Sequence, residues 1–331
     1  MRLTRDRALA LAFLCPSVLL IAVFVYGLIG WTGYISLVRW ATLKPDYSFV
    51  GLANFQEIFS SFRFQDDIRN TIVFTFFFVM ACLFVGLLLA NLIDRKIRAE
   101  GVFRTIYLFP MAISFIVTGV AWKWILAPGQ PGLGGHPAQP NGINQLLGLD
   151  PATNKWLTDA SVAFISPTSQ VGQILHDVGL GFLTSPNIGI PVAMLSVVLA
   201  AAWQMSGFVM VLYLSGLRAI PEELREAARV DGATEWMVFR RITFPLLLPI
   251  TLSAVIILGH ISLKIYDLTV ALTGGAGPGF ATDTPANNMW QTSFRDALFG
   301  RGASIAIVML VVIAVVVVPY LVWTRRQEVS E

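Results

Sequence analysis

Six stretches of this chain run for about 20 residues or more with few or no charges, and no other feature restricts the fold as severely. They cover residues 8–29, 70–93, 105–126, 190–217, 247–272 and 303–323. A hydrocarbon core about 30 Å thick is crossed by roughly 20 helical residues, so each stretch reads as a membrane span. Composition agrees: 56% of the residues are apolar and 13% charged, and the mean hydropathy is +0.70, well outside the soluble norm. The expected fold is therefore an all-α integral membrane protein with six transmembrane helices. The fifth run is the least uniform, carrying His260, Lys264 and Asp267.

The first run follows Arg2, Arg5 and Arg7, as a secretory signal would. It continues uncharged from Ala8 to Val38 with no Ala-x-Ala-like site closing it promptly. That is too long for a signal core, and a retained anchor is expected. Orientation follows from Lys and Arg in the connections. One side receives fourteen: Arg2, Arg5, Arg7, Arg95, Lys96, Arg98, Arg104, Arg218, Arg225, Arg229, Arg240, Arg241, Arg325 and Arg326. The other receives seven over longer loops: Arg39, Lys44, Arg63, Arg69, Lys155, Arg295 and Arg301. Both termini and the 218–248 loop are expected in the cytoplasm.

The net charge of +3 follows from that bias, and no Lys/Arg cluster alternates with aromatics as a nucleic-acid surface would require. Cys15 and Cys82 lie inside predicted spans, which argues against a disulfide framework or a metal site. No G-x-x-x-x-G-K-[ST] phosphate loop is present, and the glycines at 274, 275, 277 and 279 lack the lysine and helix start that would make one. His136, His176 and His260 are scattered, with no H-E-x-x-H or paired-Cys spacing and no G-x-S-x-G. The chain is not expected to hydrolyse ATP or to carry a cofactor or metal.

The 218–248 loop is charged and helix-forming, yet lies between two apolar runs. Pro221 suits a first helical position, and Glu222 and Glu223 complement the positive end of the helix dipole. Leu224, Ala227, Ala228 and Asp231 share one face, kept flat by the alanines. Glu222–Arg225 and Glu226–Arg229 are spaced for ion pairs. Gly232 can end the helix in the left-handed region, and Thr234 can cap a second short helix with Trp236, Phe239 and Ile242 as its apolar stripe. From physics alone, such a helix either docks on a partner or lies on lipid headgroups.

The order Glu226-Ala227-Ala228-Arg229-Val230-Asp231-Gly232-Ala233, continued by Phe239, Ile242, Pro245 and Pro249, resembles a known signature. It is the coupling motif of the membrane-spanning subunits of binding-protein-dependent ABC importers. The resemblance runs from about residue 70 to the end and points to the carbohydrate branch of maltose-type and glycerol-phosphate-type permeases. Supporting pieces are Trp203-Gln204-Met205-Ser206-Gly207-Phe208, Ser215-Gly216-Leu217, Ile220-Pro221-Glu222-Glu223, Asp267-Leu268, and the outer-loop segment from Leu272 through Gly279 to Thr282. Ala276 reads as one residue more than that outer-loop pattern, and 160–182 as an insertion.

The resemblance implies a type I importer architecture with a cytoplasmic coupling helix. Residues 1–69 would form an anchor helix and first outer loop, 70–325 the transmembrane domain with an outer loop at 128–189, and 326–331 a cytoplasmic tail. Glu226, Ala227, Ala228, Asp231, Gly232, Ala233, Phe239, Ile242 and Pro245 would then couple to a separate ATPase that binds the ATP and magnesium. The implied partners are a second, non-identical permease subunit, two ATPase copies and an extracytoplasmic sugar-binding protein, in a bacterial or archaeal cytoplasmic membrane.

Ionisable and polar groups within spans suggest a path for a polar cargo. His260, Lys264 and Asp267 would share one helical face, while Ser262 and Tyr266, also four apart, would point elsewhere. Trp203, Gln204 and Ser206 add polar groups next to an aromatic ring, and Gly207 would admit a neighbouring helix. Polar contacts between helices or with a partner subunit explain the same residues equally well. Competing functions are a stand-alone secondary transporter, for which only Asp267 offers a coupling carboxylate, an ABC permease for a non-sugar solute, and a membrane enzyme, whose nucleophile or metal constellation is absent.

Overall fold

The computed structural model describes residues 5–94, 100–130, 139–151, 155–157, 170–179 and 191–328. Expectations on Arg2, Arg95, Lys96, Arg98 and His136, and on 160–169 and 180–182 of the insertion, lie outside the described residues. In chain order the helices are α1 (Arg5–Ile21), α2 (Leu28–Ser36), α3 (Ala53–Ser60), α4 (Phe62–Asp94), α5 (Glu100–Ala112), α6 (Phe115–Ile125), α7 (Gly142–Leu147), α8 (Gln170–Asp177), α9 (Val192–Ala219), α10 (Glu222–Val230), α11 (Glu235–Val238), α12 (Phe244–Leu263), α13 (Asp267–Thr273), α14 (Pro285–Trp290) and α15 (Phe299–Glu328). A two-residue ribbon pairs β1 (Gly129–Gln130) with β2 (Gln139–Pro140).

Among the described residues, five helical segments are long and apolar enough to cross a membrane: Phe13–Ser36, Phe62–Asp94, Val192–Ala219, Glu235–Leu263 and Phe299–Tyr320. The third expected span is not one rod. It consists of α5 and α6, bent by 99° at their junction. Pro110 removes one N–H from the last turn of α5, and the Ser114 side chain accepts from the Val117 N–H to start α6 afresh. The fifth expected span, 247–272, is also broken. It starts earlier and stops at Leu263, and α13 begins a new helix at Asp267.

The chain forms two compact units, residues 1–64 with 288–315, and residues 65–287 with 316–331. In the first, Ile35, Val38 and Ala303 pack with Trp40 and Phe299, while Ile58, Phe64 and Ile305 form a second apolar cluster. The buried Asn54 amide donates to the Ser36 and Val38 carbonyls, each at 2.9 Å, so the backbone leaving α2 is not left unpaired. Rings of Trp31, Tyr34, Tyr47 and Trp40 form a chain of contacts 5.7–6.3 Å apart.

In the second unit α4 and α9 are the central rods. Phe74, Phe78 and Cys82 from α4 meet Met194, Val197, Val209 and Leu214 from α9, with Leu247 and Leu258 of α12 and Leu268 and Leu272 of α13. Nineteen residues of α9 are buried, which is why this span reads as apolar around most of its circumference rather than along one stripe. Small residues let backbones meet: a Cβ on Gly207 would collide with the Tyr107 carbonyl of α5.

Candidate functional site

The 218–248 loop begins where Pro221, extended at ψ 132°, separates α9 from α10. The helix starts one residue later than the proline, with Glu222 and Glu223 in its first turn. It ends through two bonds donated back to its last turn, Gly232 N–H to the Arg229 carbonyl at 3.0 Å and Ala233 N–H to the Ala228 carbonyl at 2.9 Å. That closure needs a left-handed residue, and Gly232 has φ +81°. Thr234 then accepts from the Met237 N–H at 3.3 Å and starts α11. A π-helical turn from Phe239 to Thr243 leads into α12, whose first turns contain Pro245 and Pro249.

No residue of α10 is buried. Glu226, Ala227 and Asp231 are exposed, Ala228 is half-buried, and Val230 is 87% exposed. Among the described residues, nothing fully covers the apolar side of this helix. Of the following residues, Val238 is buried, Phe239 and Ile242 are half-buried, and Pro245 is exposed. The Trp236 ring is stacked on Phe239 at 5.7 Å and is itself exposed.

The arginines of α10 do not make the expected pairs with Glu222 and Glu226. Arg225 Nη1 reaches Asp94 at 3.3 Å and its Nη2 donates to the Leu217 carbonyl at 2.9 Å. Arg229 Nε donates to Glu235 at 2.8 Å, across the turn. The Glu235 carboxylate holds the Arg229 guanidinium even more firmly protonated, with smaller help from Glu222 and Glu226. Helical i,i+3 neighbours lost because two better-placed carboxylates lie off the helix. Arg218, at the end of α9, likewise bonds Glu100 at 2.7 Å, and neither Asp94 nor Glu100 stands out from the sequence. The signal available was an isolated acid at each edge of the basic 95–98 stretch.

The expected path residues separate into two groups. Trp203 is 43% exposed, lies edge-on to Trp122 at 5.9 Å, and with Ser206, Tyr107 and Pro110 lines an open cavity of about 750 Å³. Gln204, by contrast, is buried, and its Nε2 donates to the Ile113 carbonyl at 2.6 Å. Ile113 is the residue at the α5–α6 bend, so Gln204 satisfies a carbonyl that the broken helix has freed. Gly207 is spent on the close approach to α5.

His260, Lys264 and Asp267 do not share a helical face. His260 is in the last turn of α12, Lys264 is its C-cap with ψ 20°, and Asp267 opens α13. Tyr266, at φ −128° and ψ −56°, is the residue that precedes α13. The break persists because its backbone is satisfied elsewhere: the buried Thr284 hydroxyl donates to the Ile265 carbonyl at 3.1 Å. Neighbouring Ser262 shares a 2.7 Å hydrogen bond with Thr75 of α4.

The 272–282 segment is a compact knot. The Thr282 hydroxyl bridges the Gly275 carbonyl at 3.0 Å and Thr273 at 2.7 Å, and Asn70 of α4 donates to the Phe280 and Asp283 carbonyls at 2.8 and 3.0 Å. Ala276, one residue more than the expected pattern, is absorbed here by accepting from the Thr282 N–H at 2.9 Å. Among the described residues, no three His, Cys, Asp or Glu side chains are grouped to hold a metal ion.

Residues 83–328 match the family described as binding-protein-dependent transport system inner membrane component. A relative in Pyrococcus horikoshii, named a probable ABC transporter permease protein, is 37% identical over 99% of both chains. The xylose/arabinose import permease protein XacH of Haloferax volcanii is 33% identical over 93% of this chain and 85% of its own. Among solved structures, a bacterial ABC transporter importing the acidic polysaccharide alginate superposes with a TM-score of 0.66 at 21% identity, covering 97% of this chain and 96% of that one.

Proposed function

The chain belongs to the family of binding-protein-dependent transport system inner membrane components, and from that premise we propose that it is one permease half of an ATP-driven sugar importer. The observation that carries the proposal is α10, an amphipathic helix with no buried residue, started after Pro221, closed by the left-handed Gly232 and held between two membrane spans. An ordered helix with an uncovered apolar face, set between charged turns, fits a partner's groove. In this reading Glu226, Ala227, Ala228, Asp231, Gly232, Ala233, Phe239, Ile242 and Pro245 dock on a separate ATPase, which holds the ATP and magnesium. The turn Phe239–Thr243 with Pro245 and Pro249 passes the resulting displacement into α12.

The partners follow: a second, non-identical permease, two ATPase copies and an extracytoplasmic binding protein. The Lys/Arg bias puts both termini and the 218–248 loop in the cytoplasm, and residues 70–325 would be the transmembrane domain proper. Sugar as cargo is supported by relatives named for xylose/arabinose and trehalose/maltose import. The cavity at Trp203 and Trp122 is mainly apolar, with Ser206 and Tyr107 as its polar side chains, and in this reading its rings would meet the apolar C–H faces of a sugar. His260, Lys264, Tyr266 and Asp267, gathered around the α12–α13 break, are the polar groups offered further along.

The test is ATP hydrolysis by the complete complex in proteoliposomes, with binding protein and a panel of xylose, arabinose, maltose and trehalose. One sugar should stimulate hydrolysis in the wild type, and Glu226→Lys should abolish that stimulation. Unchanged stimulated hydrolysis and uptake in Glu226→Lys would remove the coupling role from this loop.

A further inference from the structure

The docking helix has a mechanical problem. With no buried side chain, α10 has little packing to tie it to the bundle. Among the described residues, a push on it would reach the membrane helices mainly along the chain, through α9 on one side and through α11 and the Phe239–Thr243 turn into α12 on the other. The exception is a charged node beside it. Arg225, in the middle of α10, reaches Asp94 at 3.3 Å, the last residue of α4, and also caps the Leu217 carbonyl near the end of α9 at 2.9 Å. Arg218, in the last turn of α9, bonds Glu100 at 2.7 Å, the first residue of α5, and approaches Asp94 at 3.9 Å.

We infer that Asp94, Glu100, Arg218 and Arg225 form an ionic latch that makes the adjoining ends of α4 and α5 follow the docking helix. It rests on the reading of the 218–248 loop as the ATPase-docking loop. Two features separate it from an ordinary surface pair, whose effect on stability is small. Arg225 and Asp94 keep only 18% and 22% of their side-chain surface in contact with solvent. In addition, Arg225 bonds simultaneously to a carboxylate and to a backbone carbonyl, which fixes its guanidinium in one pose. The latch joins the ends of α4, α5 and α9 to the middle of α10, and a rigid helix moved at its end carries the displacement along its length. α4 carries Thr75 and the core phenylalanines Phe74 and Phe78 against α9 and the α12 side of the bundle. Asp94, Glu100, Arg218 and Arg225 are thus positioning residues: they touch neither cargo nor nucleotide.

The experiment uses the complete importer with a bimane label at position 92, on the exposed side of the last turn of α4, in a background lacking Cys15 and Cys82. ATP with vanadate is the probe, so no cargo need be identified. The wild-type label should respond to nucleotide. Asp94→Asn and Arg225→Met should each shrink the response about fivefold or more, while the ATPase still co-purifies; Asp94→Glu, which retains the charge, should respond as the wild type does. A wild-type response in both neutralised variants overturns the latch, as does loss of the ATPase from Asp94→Asn, which would make the residue part of docking instead. Failure of the underlying reading looks different: Glu226→Lys would keep both the ATPase and the nucleotide response.

Discussion

Replacing Gly207 by alanine tests the packing on which the candidate path depends. The added Cβ would fall on the Tyr107 carbonyl, with the carbonyl carbon only 2.7 Å away. That oxygen belongs to the backbone of α5, so relief requires α5 and α9 to separate rather than a side chain to turn. Overpacking of this kind costs about 1–3 kcal/mol, and a rigid backbone neighbour argues for the upper end. Against it stands a gain of about 1 kcal/mol for alanine over glycine in a helix. The net expectation is a loss of about 2 kcal/mol, roughly a 30-fold fall in the folded-to-unfolded ratio. Gly259 of α12 is the control, because a Cβ there meets nothing within 4 Å. The same substitution at that position should leave stability unchanged or raise it by up to about 1 kcal/mol. The two variants are compared by denaturant titration of the purified chain in one detergent. Gly207→Ala unfolding at or beyond the midpoint of Gly259→Ala would refute the helix contact as described.

Gln204→Leu leaves the Ile113 carbonyl without its donor and should cost about 1–3 kcal/mol, with the half-saturating cargo concentration for uptake unchanged. A shifted half-saturation at unaltered stability would return Gln204 to the cargo path. Thr234→Ala removes the cap of α11 and should cost about 1 kcal/mol, speeding amide exchange at residues 235–238 about fivefold. Equal acceleration throughout α10 would show that the two short helices melt as one unit instead.

The features legible in the sequence were those written in local rules. Apolar length marked the spans, because a helix satisfies its own backbone and only the lipid thickness must be matched. The 218–248 loop could be read almost residue by residue: the acidic first turn, the glycine at φ +81° and the threonine cap each act within four residues of themselves. The pairing of its arginines was not legible, since Asp94 precedes Arg225 by 131 residues and the nearer glutamates were equally plausible from spacing.

What the sequence by itself determined is therefore a mainly helical membrane chain, the approximate position of its apolar spans and the shape of α10. Tertiary structure decided where those spans break. A helix can be interrupted inside the bundle only if the freed carbonyls find donors. Those at Ile113 and Ile265 come from Gln204, 91 residues away, and Thr284, 19 residues away. No periodicity records such donors, and they moved His260, Lys264 and Asp267 off a common face and turned one expected path residue into a backbone cap.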